Sequence, residues 1–225
     1  MNCSDDYHDY VFKDGKLIGE FEQMYQKSKD TPWHQDKDVD ELDYKIALTI
    51  ASTVSPFSEI CEIGCGSGYF LNALRKLGTD GCKLTGFDVS QTAIKKAKGI
   101  FPDFNFKVID IAESHKSFRT KMNGEVDMPK QKKLTAIRGF SWYVFPHMDN
   151  VIRNISDIVD KEQYLLVSQN FPPLDTEFVG KDVIPNPDKL LKYFIPYFKP
   201  IVTNWLEDKQ RKENNNWFTA LMMRI

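Results

Sequence analysis

A chain of 225 residues with thirty basic and thirty-two acidic side chains has a net charge of −2 and a pI near 6.1, so it carries no global field for nucleic acid or anionic lipid, and a small-molecule partner is expected. Its length suffices to bury about 70% or more of the unfolded surface in one core. Its four cysteines, Cys3, Cys61, Cys65 and Cys82, lack the spacing of a zinc site and the density of a disulfide framework, and read as reduced thiols of a cytoplasmic protein without bound metal.

The chain begins with a polar, acidic decapeptide that does not read as a signal peptide, and no run of eighteen apolar residues predicts a membrane span. Residues 1–39 read as a charged, aromatic N-terminal cap, with Gly15, Gly19 and a turn at Thr31-Pro32-Trp33-His34. A second unit is expected over 40–225. It opens with an amphipathic helix over 40–54, apolar at Leu42, Ile46, Ala47, Ile50 and Val54, capped by Asp38 or Asp40 and ended by Ser55-Pro56.

Strands and helices then alternate. The pattern predicts a strand over 58–63, a helix over 69–77 closed by Gly78, a strand over 83–87 and a helix over 91–98 N-capped by Ser90. A third strand covers 104–109 and ends at Asp110. Residues 112–132, broken by Gly124 and Pro129, read as an irregular helix or loop. Strands follow over 133–138 and 163–168, with a helix over 151–159 between them. A proline-rich excursion over 170–187 leads to a helix over 188–194 and two last strands, 197–205 and 217–224. Such alternation implies a parallel sheet covered on both faces, and the closing hairpin puts an antiparallel strand into it.

The chain is organised around Glu62-Ile63-Gly64-Cys65-Gly66-Ser67-Gly68, three glycines at alternate positions between a strand and a helix, with Asp88 twenty residues on. That is the layout of a nucleoside-binding turn, whose amides meet the ligand's polar tail while the acid takes ribose hydroxyls. NAD and S-adenosylmethionine both suit it. The third glycine comes one position early for a pyrophosphate fingerprint. Glu62 would oppose a pyrophosphate but pair with the ammonium of a methionine moiety. Nor is there a second domain large enough for a dehydrogenase substrate.

With Asp110-Ile111 after the third strand, these residues resemble the class I S-adenosylmethionine-dependent methyltransferases, from about Asp40 onward. The resemblance implies a doubly wound, Rossmann-like sheet of seven strands, mostly parallel with the last antiparallel. It implies that Gly64, Gly66 and Gly68 pass under the methionine part, with Cys65 among them, that Asp88 with Val89 holds the ribose, and that Asp110 and the Ile111 amide read the adenine. Gly139, after the fourth strand, completes the expected cofactor contacts.

Methyl transfer needs an aligned acceptor and an excluded solvent, and a base only where the acceptor carries a proton. The segment Val144-Phe145-Pro146-His147 resembles the region after the fourth strand of small-molecule methyltransferases. His147 is therefore the first candidate base, or a helix-entry residue, and His34 is the second. Tyr143 is a further catalytic candidate. Trp33, Arg138, Trp142 and Tyr143 are expected at the acceptor, with packing or a surface ion pair as their plainer readings. The expected activity is methylation of an oxygen or nitrogen of a small acceptor, sugar-like or phosphorylated. The segment Lys181-Asp182-Val183-Ile184-Pro185 is similar to methyltransferases of surface-polysaccharide or natural-product pathways. Methylation of RNA or protein, and a non-catalytic cofactor-binding subunit, are the alternatives. The sequence carries no signal of oligomeric state.

Overall fold

A computed structural model describes residues 7–37, 41–115, 131–207 and 216–225. A short hairpin, β1 (Phe12–Lys13) and β2 (Lys16–Leu17), precedes helix α1 (Phe21–Lys27). Helix α2 (Leu42–Ser52) follows a tight turn at Pro32–His34. Then come β3 (Phe57–Ile63), α3 (Tyr69–Leu74), β4 (Gly78–Asp88), α4 (Gln91–Ile100), β5 (Asn105–Val108) and β6 (Lys133–Arg138). The chain closes with α5 (Met148–Ile158), β7 (Tyr164–Phe171), α6 (Pro187–Phe194), β8 (Phe198–Glu207) and β9 (Asn216–Arg224).

Seven strands form one sheet in the order β5-β4-β3-β6-β7-β9-β8. All run parallel except β9, which pairs antiparallel with both β7 and β8. The expected antiparallel last strand is thus present, set inside the sheet with β8 at its edge. The chain starts at the centre with β3, moves out to β5 and returns to β6. The reversal opens a crevice beyond the carboxyl ends of β3 and β6, where ligands of open α/β sheets bind.

Side chains that alternate along the central strands feed two cores. Leu134, Ala136 and Leu166 face α2, α3 and α4 through Ala47, Leu71, Leu74 and Ile94. Ile137, Leu165 and Val167 face α5 and α6 through Val151, Ile155, Leu190 and Phe194. Strands buried on both sides carry nearly continuous apolar runs, as in β6 and β7.

Several boundaries differ from expectation for reasons of pairing. β4 begins at Gly78 because Gly78 pairs with Phe57 across an irregularity in β3. β7 continues to Phe171 because β9 runs beside it as far as Asn216. α6 starts at Pro187, capped by Asn186, whose Oδ1 accepts from the Lys189 amide at 2.9 Å. Ser90 caps α4 as expected, its Oγ accepting from the Ala93 amide at 3.1 Å. The expected caps Asp38 and Asp40, most of the 112–132 stretch and the 208–215 part of the last loop lie outside the described residues. Among the described residues no helix is long and apolar enough to cross a membrane.

Candidate active site

Gly64, Gly66 and Gly68 have φ of 74°, 51° and 86°, the left-handed region that glycine enters without steric cost. All three also lack room for a side chain: a Cβ on Gly64 would lie 3.1 Å from the Phe140 ring, one on Gly68 2.9 Å from Phe106, and one on Gly66 against the Gln35 amide and the Tyr25 hydroxyl. The turn is fastened to β4, since the amides of Gly64 and Cys65 both donate to the Phe87 carbonyl, at 2.8 and 2.9 Å. Asp88 adds a second fastening. Its Oδ2 accepts from the Gly66 amide at 2.8 Å and its Oδ1 from the Ser90 amide at 2.9 Å. Burial raises the Asp88 carboxyl, and these amides counter the rise.

Glu62 lies behind the turn at 3% exposure. Burial raises its carboxyl well above the usual range, opposed by the Leu71 amide and by Arg138. Its Oε2 has no hydrogen-bond partner among the described residues, and such a buried acceptor is costly unless something arrives to donate to it. Cys65 is buried in the same place, its thiol pushed up by burial. The Asp110 Oδ1 accepts from the Ala112 amide at 2.8 Å, forming the bend that brings Ile109 to Ala112 to the crevice.

The crevice has a volume of about 770 Å³. It gathers Gly64, Asp88, Val89, Asp110, Ile111 and Gly139 from the expected cofactor positions, and Trp33, His34, Arg138, Tyr143 and His147 from the expected acceptor positions. Glu62, Cys65, Gly66, Gly68 and Trp142 are not on its lining. Trp142 departs furthest from expectation. Its indole N–H donates to the Asn170 carbonyl at 2.8 Å and its ring packs edge-on against Phe171 and Phe178, which makes it a core residue. Arg138 lines the crevice but is not offered to an anion. It is bonded to Asp43 at 2.5 Å and packs against the rings of Tyr44 and Trp217, 4.1 and 4.4 Å from their centroids. This is the ion-pair reading of Arg138, in a half-buried setting.

The N-terminal cap supplies the roof. Trp33 stands 5.2 Å from Tyr143, 5.7 Å from Tyr7 and 6.2 Å from Tyr25, ring centre to ring centre. Trp33 and His34 both have left-handed backbones, at φ of 54° and 49°, a conformation that the surrounding packing must hold. Burial raises the Tyr143 hydroxyl far above the neutral range, so it stays protonated and can donate a hydrogen bond but not serve as a base.

Glu22 fastens this roof to the sheet domain. Its carboxylate accepts from Ser90 Oγ at 2.7 Å, from the Thr92 amide at 3.1 Å and from Thr92 Oγ1 at 2.5 Å. Lys96 Nζ donates back to the Tyr25 carbonyl at 2.6 Å. These bonds hold the Glu22 carboxyl at about 2, below its ordinary 4.5. The stabilisation is present above the ordinary value and is lost as pH falls through the lowered one. Glu22→Ala is expected to destabilise the protein by about 1 kcal/mol at neutral pH, the worth of a helix-capping acid. Urea denaturation of the two proteins should converge as pH is lowered from 4.5 toward 2.

Residues 56–200 match the family described as "Methyltransferase domain". The fold is similar to that of the N-methyltransferase NodS from Bradyrhizobium japonicum in complex with S-adenosyl-L-homocysteine, with a TM-score of 0.68, 14% identity, and coverage of 90% of this chain and 97% of that one. It is also similar to a SAM-dependent methyltransferase from Anabaena variabilis, with a TM-score of 0.69, 13% identity, and coverage of 96% and 98%. A curated relative, carboxy-S-adenosyl-L-methionine synthase from Helicobacter pylori, is 30% identical over 103 residues, which span 44% of this chain and 42% of the relative. The family match runs from the first strand of the sheet to its last crossover and includes the glycine turn, Asp88 and Asp110. The chain therefore belongs to the class I S-adenosylmethionine-dependent methyltransferases, with S-adenosylmethionine as its cofactor.

Proposed function

We propose that the protein methylates an oxygen or nitrogen of a small-molecule acceptor held between the cofactor turn and the aromatic roof. The supporting observation is the roof itself. Tyr7, Tyr25 and Trp33 of the cap pack as a cluster that meets Tyr143, beyond the end of β6, and the crevice of about 770 Å³ is lined in part by this cluster. That volume suits a cofactor with a compact acceptor, within the roughly 300–1,000 Å³ of small-molecule sites. Among the described residues Arg138 is the one lysine or arginine on the lining, and Asp43 meets its charge. This favours an acceptor without phosphate over the phosphorylated one compatible with the sequence.

The residues present fit the cofactor. The unpartnered Glu62 Oε2 is an acceptor suited to an ammonium group, and the glycines themselves add no side chain to the turn. In this reading Asp88 turns its remaining lone pairs to the ribose hydroxyls, and Asp110 with the Ile111 amide takes the adenine. S-adenosylmethionine supplies a methyl group on a sulfonium, already activated for in-line displacement. The protein's part is to align the acceptor and exclude water, which can contribute about 7–11 kcal/mol. His147, at the start of α5, and His34 of the roof are the imidazoles positioned to take a proton from the acceptor.

The test is to supply S-adenosylmethionine with panels of amines, phenols and amino sugars, beside RNA and protein, and follow S-adenosylhomocysteine release. Turnover confined to RNA or protein would overturn the reading. With an acceptor in hand, His147→Ala is expected to lower turnover about a hundredfold, as loss of a general base does, with cofactor affinity unchanged.

A further inference from the structure

The cap also reaches the cofactor turn directly, through a residue that no sequence motif marks. Gln35 Oε1 accepts from the Ser67 amide at 3.0 Å. A backbone N–H can only donate, so this bond fixes which end of the Gln35 amide faces the turn. Its Nε2 also lies over Gly66, and a hydrogen bond from Gln35 reaches the buried Tyr25 hydroxyl. Together the Gln35 amide and the Tyr25 hydroxyl cover the open face of Gly66, where they are the nearest atoms to any added Cβ.

This leaves the turn with few donors of its own. The Gly66 amide is committed to Asp88 and the Ser67 amide to Gln35. A carboxylate over the turn must therefore find its donor elsewhere. Gln35 has two amide hydrogens, one of which meets Tyr25, and Gln35 is on the crevice lining. On the sheet side, the unpartnered Glu62 Oε2 offers the opposite polarity. An amino-acid tail, carboxylate toward the cap and ammonium toward the sheet, is the cofactor group that satisfies both.

We propose that Gln35 is a cofactor-positioning residue: anchored on the Ser67 amide through Oε1, it donates from Nε2 to the carboxylate of the S-adenosylmethionine tail. The proposal rests on the cofactor assignment and is independent of the acceptor. It makes the cap part of the cofactor site as well as its roof.

Two variants separate this role from simple docking of the cap. Gln35→Ala removes both ends of the amide. Gln35→Glu keeps an oxygen to accept from Ser67 but replaces the donor by a carboxylate that repels the tail. Calorimetry with S-adenosylhomocysteine is compared with methylthioadenosine, which keeps the nucleoside and sulfur but lacks the amino-acid tail. Gln35→Ala is expected to weaken S-adenosylhomocysteine about tenfold and Gln35→Glu more than that, with methylthioadenosine unchanged in both. Equal weakening of the two ligands would make Gln35 a docking residue and overturn the proposal, as would unchanged affinity for S-adenosylhomocysteine. Failure of the unaltered protein to bind either ligand would instead overturn the cofactor assignment.

Discussion

Asp88→Ala is expected to lose most of its affinity for S-adenosylhomocysteine and a substantial share of its stability in the same step. The carboxylate is a junction between two segments: one oxygen holds the Gly66 amide of the cofactor turn and the other the Ser90 amide at the start of α4. Without it, two buried amides lose their acceptor, at a cost of about 1–3 kcal/mol each. In a protein of this size a total of about 3 kcal/mol corresponds to a melting point lower by roughly 10 °C. Loss of the proposed ribose contact, with the turn loosened beneath it, should weaken the cofactor by about a hundredfold. Asp88→Asn should fall between, because one amide oxygen can still accept while the NH₂ cannot. Thermal unfolding and calorimetry read the two effects separately. A lower melting point with unchanged affinity would show that Asp88 acts only on the fold.

Glu62→Gln is expected to give the opposite pairing of effects. In the unliganded protein burial raises the Glu62 carboxyl, so the folded state favours its protonated form. A raised folded value means that this contribution to stability is complete below the ordinary carboxylate value of 4.5 and is lost as pH rises through the raised one. Glu62→Gln should remove its share of that descent, leaving the part due to Asp88, whose carboxyl is also raised. Cofactor binding should suffer, since a neutral amide replaces the carboxylate proposed to meet the ammonium. A loss of about tenfold to a hundredfold is expected for S-adenosylhomocysteine. Methylthioadenosine should bind as before. Pairing with the ammonium draws Glu62 toward its ionised form, so binding to the unaltered protein should release protons and weaken as pH falls below the raised value. Calorimetry in buffers of different ionisation enthalpy measures that release. An unaltered S-adenosylhomocysteine affinity in Glu62→Gln would remove Glu62 from the tail site.

What could be read from the sequence follows the range of the interactions involved. The helices and strands were legible because side-chain periodicity is local, and so was the turn, since its glycines meet backbone demands within five residues. Asp88 and Asp110 were legible because strand ends have fixed positions in an alternating fold. The edges of β4 and β7 were not, because their lengths depend on pairing with Phe57 and with the far end of β9. The parts of the site that escaped reading are contacts between distant segments. Gln35 meets Ser67 across 32 positions, Glu22 meets Ser90 across 68, and Asp43 meets Arg138 across 95. Trp142 shows the converse. Its place directly after β6 suggested the crevice, but the turn that follows rotates its ring into the core, where Phe171 and Phe178 receive it.

Arg138 packs against both Tyr44 of α2 and Trp217 of β9. The arginine therefore joins the opening helix of the sheet domain to its final strand, with the crevice beside it. This places a constraint on biosynthesis. Chains emerge N-terminus first and fold as units while the remainder is still being made. A nascent chain released as far as Gly139, just past β6, has every expected cofactor residue outside the ribosome. It still lacks the aromatic plate that closes this wall, and gains it only when the last strand slides in between β7 and β8.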